Sequence, residues 1–413
     1  MSRWIWAIRL LRRRVWFRAS LFSLFAVLLA LAGAFFGHFA SYEFAAKIGA
    51  KSVDNILEVL ASSMLAVTTF SLATMVQAYS GATSTLTPRA VQLLIEDTRA
   101  QNALSTFLGS FLFSIVGIIA LSTGLYGDSG RVVLFFGTIV VIVFIVVTFV
   151  RWIDHIARFG RVSDTISRVE KAATAAANGL SQYPLFGPRQ RLDVPDDATR
   201  IASAEIGRVT HVDVAALLDV VREMHADLYL AAAPGTFVNP ARMVAWTKAV
   251  PGADMNARIA ASFTVSKDRV FDQDPRFGLV VLSEIASRAL SPAVNDPGTA
   301  IAVLEAGTRV ITTMLQSPIE QEADMSPKLH IPALSFSDIL EDFFRPIARD
   351  GAGMIEVAIR LQKCLGAIEA AQPRASADCI LRADDSFERA NRALTSASDR
   401  AKLEQVHQRF RLQ

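Results

Sequence analysis

VVLFFGTIVVIVFIVVTFV, residues 132 to 150, runs for nineteen positions without a charge or a proline. At 1.5 Å per residue a helix over it covers about 28 Å, the hydrocarbon thickness of a bilayer. A lipid-exposed segment has to be helical so that its own backbone groups bond one another. The stretch therefore reads as a membrane span. Three more candidate spans precede it, and nothing of that kind follows it. The overall mean hydropathy of +0.35 averages a greasy first third with a charged remainder.

Upstream, residues 103 to 126 form an uncharged candidate punctuated by Gly109, Gly117 and Gly124, whose spacing permits close helix approach. The short Gly127–Arg131 link makes it an antiparallel hairpin with the span 132–150. Between Tyr79 and Ala103, Thr87 is placed to cap a short helix begun by Pro88. Residues 55 to 79 are the second span; past Glu58, near its start, they hold hydroxyls and an amide but no charge. At 100° per residue Ser62, Ser63, Ser71, Thr74 and Gln77 share one half-circle. Two readings fit them: hydroxyl packing between helices, or the lining of a polar pathway. Residues 20 to 40 are the first span. The arginine-rich tail before it resembles a signal-peptide n-region, but the apolar run continues past the small residues of Ala30-Leu31-Ala32 to full spanning length.

Orientation follows from the basic flanks. Arg3, Arg9, Arg12, Arg13, Arg14 and Arg18 precede the first span, and Arg151, Arg158, Arg161, Arg168 and Lys171 follow the last. The opposite side offers Lys47, Lys51 and Arg131. Four spans with both termini cytoplasmic in a bacterial inner membrane satisfy that asymmetry. Trp4, Trp6, Trp16 and Phe17 among the tail arginines suit an interfacial anchor.

Past the membrane, residues 152 to 178 read as a continuing helix and residues 180 to 199 as a Pro/Gly linker. A small β-containing unit is expected over 200–250: a strand over 200–209, a helix from 214 capped by Asp213, and strands near 227–232, 236–238 and 243–248. Residues 251 to 413 read as helical, with one final amphipathic helix carrying Phe387, Ala390, Leu394, Ala397 and Ala401 and then Val406 and Phe410. In that region Asp274-Pro275 recurs as Asp296-Pro297. Each pair fits an N-cap aspartate followed by proline at the first helical position. The sharper alternative joins Asp272, Asp274, Asn295 and Asp296 into a cation site, with Arg276 or Arg288 as counter-charge.

The organisation expected is an α-helical membrane domain of four transmembrane helices followed by a cytoplasmic α+β domain, mainly helical with a small β-containing unit. In residues, that is a tail over 1–19, the membrane domain over 20–151, a helix and linker over 152–199, the β-containing unit over 200–250 and a helical region over 251–413.

Phe70-Ser71-Leu72 leading to Pro88-Arg89, the turn Pro234-Gly235-Thr236-Phe237-Val238, and the stretches Asp274-Pro275-Arg276-Phe277-Gly278 and Arg288-Ala289-Leu290-Ser291-Pro292-Ala293-Val294-Asn295-Asp296-Pro297-Gly298-Thr299-Ala300 carry a resemblance. The chain resembles a family of bacterial predicted membrane proteins known as domain of unknown function 2254, from its first membrane helix to about residue 365. That resemblance implies an integral membrane protein with a cytoplasmic domain and supplies no activity. It marks Asp274, Pro275, Arg288, Ser291, Pro292, Asn295, Asp296 and Pro297 as motif positions. One departure stands at Asn239-Pro240, where the family has a glycine.

Charge and motifs narrow the function classes. A net charge of +3, with 42 basic against 39 acidic residues, argues against a nucleic-acid partner. Phosphate loops, dinucleotide fingerprints, zinc motifs and nucleophile elbows are missing from the sequence, so no enzyme and no cofactor or metal is expected. His211 with Asp213 is the one close ligand-like pair, and it reads as a surface strand-to-helix corner. Two cysteines, Cys364 and Cys379, form no framework. The reading that remains is an oligomeric channel-like protein with a cytoplasmic regulatory domain; the alternative is a membrane-anchored scaffold or regulator. Its partners would be the lipid bilayer, further copies of the chain and a cytoplasmic protein.

Overall fold

The computed structural model describes residues 15–36, 50–85, 87–123, 128–158, 160–179, 194–316, 329–332 and 334–411. The basic tail before residue 15, Gly124 and most of the Pro/Gly linker lie outside these. Among the described residues, 15–84 with 91–161 make one compact unit, and 85–90 with 162–411 make the other.

The first unit is helical: α1 Val15–Phe36, α2 Ala50–Thr85 up to Ser84, α3 Pro88–Ile95 from Val91 onward, α4 Thr98–Ser122 and α5 Asp128–Arg158. Three helices among the described residues have the length and composition to cross a membrane, within Val53–Thr83, Thr98–Ser122 and Gly130–Ala157. The expected first span is the shorter apolar helix Trp16–Leu31, and its continuation to Ala40 lies partly outside the described residues. Thr87 caps α3 as expected, its Oγ1 accepting from the Ala90 N–H at 3.3 Å.

Inside this unit α1 and α5 pack on α4. The approach is close because Gly109 presents no Cβ to the Phe22 carbonyl of α1, 3.3 Å from where one would stand, and Gly117 leaves room for Leu134 of α5 and for Leu57 of α2. Ala26, Ala30, Leu57, Phe113 and Leu134 fill one core layer. Met64, Met75, Phe107, Ile145 and Trp152 fill the other. Most of the outer side chains of α5, including Phe136, Val140, Phe144 and Val147, are exposed, as lipid-facing residues are.

Past α5 the expected continuous helix 152–178 is broken. Gly160 takes a φ of +77°, a left-handed conformation that glycine adopts without a Cβ penalty. The chain restarts as α6, Val162–Gly179.

The second unit opens with α6 and continues with β1 Thr199–Ala202, β2 Gly207–Val212, α7 Val214–Met224, β3 Leu228–Leu230, β4 Phe237–Val238, β5 Met243–Thr247, α8 Ala253–Ala261 and β6 Phe263–Ser266. The single strand expected over 200–209 is two. Between them the chain bends at Ser203, whose hydroxyl accepts from the Glu205 N–H at 3.1 Å, and passes from one sheet to the other. Two sheets result, ordered β1-β5-β3-β7 and β4-β2-β6. They take in strands beyond residue 250: β6, and β7 at Leu329–His330, which lies parallel to β3. Asp213 caps α7 as expected, whereas His211 is fully buried in β2 rather than at a surface corner. Asn239-Pro240 ends β4 in a turn, where Asn239 Oδ1 accepts from the Ala241 N–H at 2.9 Å.

The helices α9 Pro275–Ala289, α10 Pro297–Leu315, α11 Phe336–Asp350 and α12 Ile355–Ala371 then pack around α6 and one another. A two-pronged Arg309–Glu170 pair at 2.6 and 2.8 Å ties α10 to α6. Arg276 to Asp342 at 2.5 Å ties α9 to α11. The expected single last helix is α13 Ser376–Ala393 and α14 Ala397–Arg411, parted at 394–396. Buried Gln362 of α12 joins both: its amide donates to the Ala383 carbonyl at 2.8 Å and to Ser386, and its Oε1 faces His407 Nδ1 at 3.1 Å. Cys364 and Cys379 are both free and buried.

Candidate functional site

The polar half-circle of the second span does not survive as one surface. Ser62, Ser63 and Thr74 turn their hydroxyls back onto the carbonyls of Val59, Leu60 and Phe70, at 3.1, 3.2 and 2.9 Å. Such back-bonding satisfies a helical hydroxyl without any partner helix. Ser62 and Gln77 are exposed, Ser63 and Thr74 half-buried, and only Ser71 is fully enclosed.

Ser71 leads to a polar node that the sequence did not reveal. Its Oγ accepts from the indole Nε1 of Trp152 at 3.0 Å. The Trp152 ring leans on His155 one turn further along α5, with centroids 5.7 Å apart and planes at 31°. His155 Nε2 in turn faces Asp97 Oδ2 at 3.3 Å. Asp97 is the N-cap of α4, its other oxygen accepting from the Arg99 and Ala100 N–H groups at 2.7 and 3.2 Å. All four side chains are buried. A polar group in such surroundings costs several kcal/mol unless it is bonded; the indole and the Ser71 hydroxyl meet that demand with a hydrogen bond to each other, while His155 and Asp97 stand at ion-pair distance. The node joins α2, α4 and α5 through a carboxylate, an imidazole, an indole and a hydroxyl.

The sequence carried a faint signal for this node. Asp97 sits where a cap is needed, and Trp152 and His155 are three apart on one face at the end of the most hydrophobic span. Their partners lie 81 and 58 residues away, which no local pattern reports. Removing the Ser71 hydroxyl leaves the indole N–H unpaired, so Ser71→Ala is expected to cost about 1–3 kcal/mol. Trp152→Phe in the same background should add less than it does alone. A double-mutant cycle on thermal melts in detergent checks this, and strict additivity would mean that the two side chains do not interact.

In the second unit the motif positions sit at the two ends of α9. Asp274 is its N-cap, with Oδ1 accepting from the Phe277 N–H at 2.9 Å and Pro275 at the first position. Its Oδ2 takes the Arg269 guanidinium at 2.9 and 2.7 Å, and that guanidinium lies 4.8 Å over the Phe277 ring. Burial pushes the Asp274 carboxyl up, while Arg269, the Phe277 N–H and Arg276 pull it back. Gly235, from the other motif turn, is set directly against this carboxylate. The structure thus brings together two motif stretches whose contacting residues, Gly235 and Asp274, are thirty-nine positions apart.

Arg288 and Ser291 lie at the far end, where the Ser291 hydroxyl donates to the Arg288 carbonyl at 2.7 Å. Pro292 is exposed on the corner and Asn295 takes a left-handed φ of 51°. Asp296 caps α10 through the Thr299 N–H at 3.0 Å, with Pro297 behind it. Asp274 and Asp296 are separated by the length of α9, about 22 Å for fifteen residues. The cation site drawn through Asp272, Asp274, Asn295 and Asp296 is therefore overturned. Among the described residues no group of three or more His, Cys, Asp or Glu is placed to hold a metal.

Comparison with known proteins agrees with this architecture. The chain is 24% identical over 305 residues to an uncharacterized protein of Mycobacterium bovis and to one from each of two strains of Mycobacterium tuberculosis, matches that take in 70% of this chain and 58% of each relative. It thus spans little more than half the length of the curated relatives it matches. No solved structure matches it. A family model described as predicted membrane protein, DUF2254, matches residues 12–367, and the chain belongs to that family.

Proposed function

We propose that this chain is a membrane-anchored regulatory protein of the bacterial inner membrane, with four spans, both termini cytoplasmic, and a large unit after the last span that binds a partner. The observation that carries the proposal is the use of the second span's hydroxyls. Ser71 is bound to Trp152, while Ser62, Ser63 and Thr74 are bound to their own helix. A hydroxyl that donates to its own helix keeps its oxygen lone pairs but has no donor left to offer to what passes. The outer side of α2 instead offers Val59, Leu65, Phe70, Leu72 and Val76, which suits lipid.

A channel-like homo-oligomer is the second reading, favoured by the exposure of Ser62 and Gln77, which could face a shared lumen. Single cysteines at 62 and 74, each six residues from the midpoint of Val53–Thr83, separate the two in a background with Cys364 and Cys379 replaced by serine. Both are expected to be as inert to a water-soluble thiol reagent as cysteines at 65 and 72, because a thiol in hydrocarbon does not ionise. Selective reaction at 62 and 74 would favour the channel. Reporter fusions after residues 45, 128 and 180 are expected to read outside, outside and inside, and an outside signal at 180 would remove the cytoplasmic unit.

A further inference from the structure

Three rings stand in a row across the first sheet. Tyr229 of β3 is the register partner of Trp246 on β5 and of His330 on β7, so all three side chains rise from one face. The Tyr229 and Trp246 rings stack at 4.0 Å and 5°, and the Tyr229 and His330 rings at 4.1 Å and 3°. Strands lie about 4.8 Å apart, so the rings lean together into face contact.

The two ends of the row differ. Trp246 is buried, whereas β7 is an edge strand of this sheet among the described residues. The His330 side chain keeps 37% of its surface although Tyr229 covers one face. Among the described residues no ring packs on its other face. Beside it stands Asp227, 39% exposed, its Oδ2 at 3.3 Å from His330 Nε2 and 3.5 Å from the Tyr229 hydroxyl. The Asp227 main chain is fixed by the Thr247 hydroxyl, which donates to its carbonyl at 2.7 Å. An open π face with a carboxylate at its rim calls for a flat ring that carries N–H donors. The same carboxylate repels a phosphate, so the complementary ligand is neutral or cationic.

We propose that the outer face of His330 binds an amino-substituted planar heteroaromatic molecule of the nucleobase class, stacked as the fourth ring of the Trp246–Tyr229–His330 row with its amino group at Asp227. Within the sheet the terminal ring uses only the face that meets Tyr229. Stacking on such a face is tolerant of ring identity and strong enough to measure. The site goes beyond the partner-binding reading and does not depend on which side of the membrane this unit occupies.

The test is equilibrium dialysis of the full chain in detergent with radiolabelled adenosine, and with purine riboside, which lacks the amino group. Saturable adenosine binding is expected, weakened about tenfold or more in His330→Ala and retained in His330→Phe, which keeps a ring in the row. Asp227→Asn should weaken adenosine more than purine riboside. Binding that does not saturate by about 10 mM, or that is indifferent to His330→Ala, overturns the proposal. A doubling of sedimenting mass that depends on His330 also overturns it, by assigning the face to a second copy of the chain.

Discussion

Gly235→Ala is expected to destabilise the second unit by about 3–5 kcal/mol, the effect of disrupting a buried ion pair, although it adds a single methyl. Gly235 has a φ of +89°, where a side chain costs about 1–2 kcal/mol by itself. The added Cβ would fall on the Asp274 carboxylate and within 3.0 Å of Arg269 Nη2. The turn cannot move aside. Its N–H donates to the Val209 carbonyl at 2.8 Å and its carbonyl accepts from Arg208 Nη1 at 2.9 Å. Limited proteolysis of the full chain in detergent measures the effect, with cleavage in the second unit expected at temperatures where the parent chain resists. A parent-like pattern would show that the turn tolerates the methyl.

The second large effect separates two caps that look alike in sequence. Asp274→Ala should cost about 3–5 kcal/mol, because it leaves the mostly buried Arg269 guanidinium without its carboxylate and α9 without its cap. Asp296→Ala should cost only about 1 kcal/mol, and Asp296→Asn close to nothing, since that carboxylate is exposed and asparagine caps nearly as well. The Thr299 hydroxyl and N–H hold the Asp296 carboxyl below its ordinary value. Its contribution is therefore present above the unfolded pKa of about 4 and is lost as pH falls through the lower folded value. Thermal melts of the four chains at neutral pH, with Asp296→Asn repeated near pH 3, check both statements. Equal losses from the two alanine variants would mean that the burial of Asp274 has no energetic weight.

Local chemistry was the legible part of this molecule. The uncharged runs had to be helices, and Thr87, Asp213, Asp274 and Asp296 cap helices because capping needs only a short side chain and the next turn of backbone. Gly109 and Gly117 lie at close helix approaches as their spacing suggested. The misses were of two kinds. Alternation over 200–209 hid a bend that sends the chain from one sheet to the other, because the period of a strand does not register the hydroxyl bond at Ser203. In the same way 3.6-residue periodicity ran through the breaks at Gly160 and at 394–396. The other misses were pairings across long separations: Ser71 with Trp152, Asp97 with His155, Asp274 with Gly235, and Tyr229 with His330. Each side chain looked ordinary until the fold supplied its partner.

Gln362 bears on where the molecule can be cut. The family match stops at residue 367, inside α12 and one turn past this glutamine. A fragment ended there would strip the amide of Ala383, Ser386 and His407 and uncover apolar side chains that Ala390, Leu394 and Leu403 now shield. It would carry a greasy flank around an orphaned donor, the combination that drives fragments into aggregates. The boundary by which the family is recognised thus falls inside a cooperative block, and a shortened chain meant for expression should keep everything through Arg411.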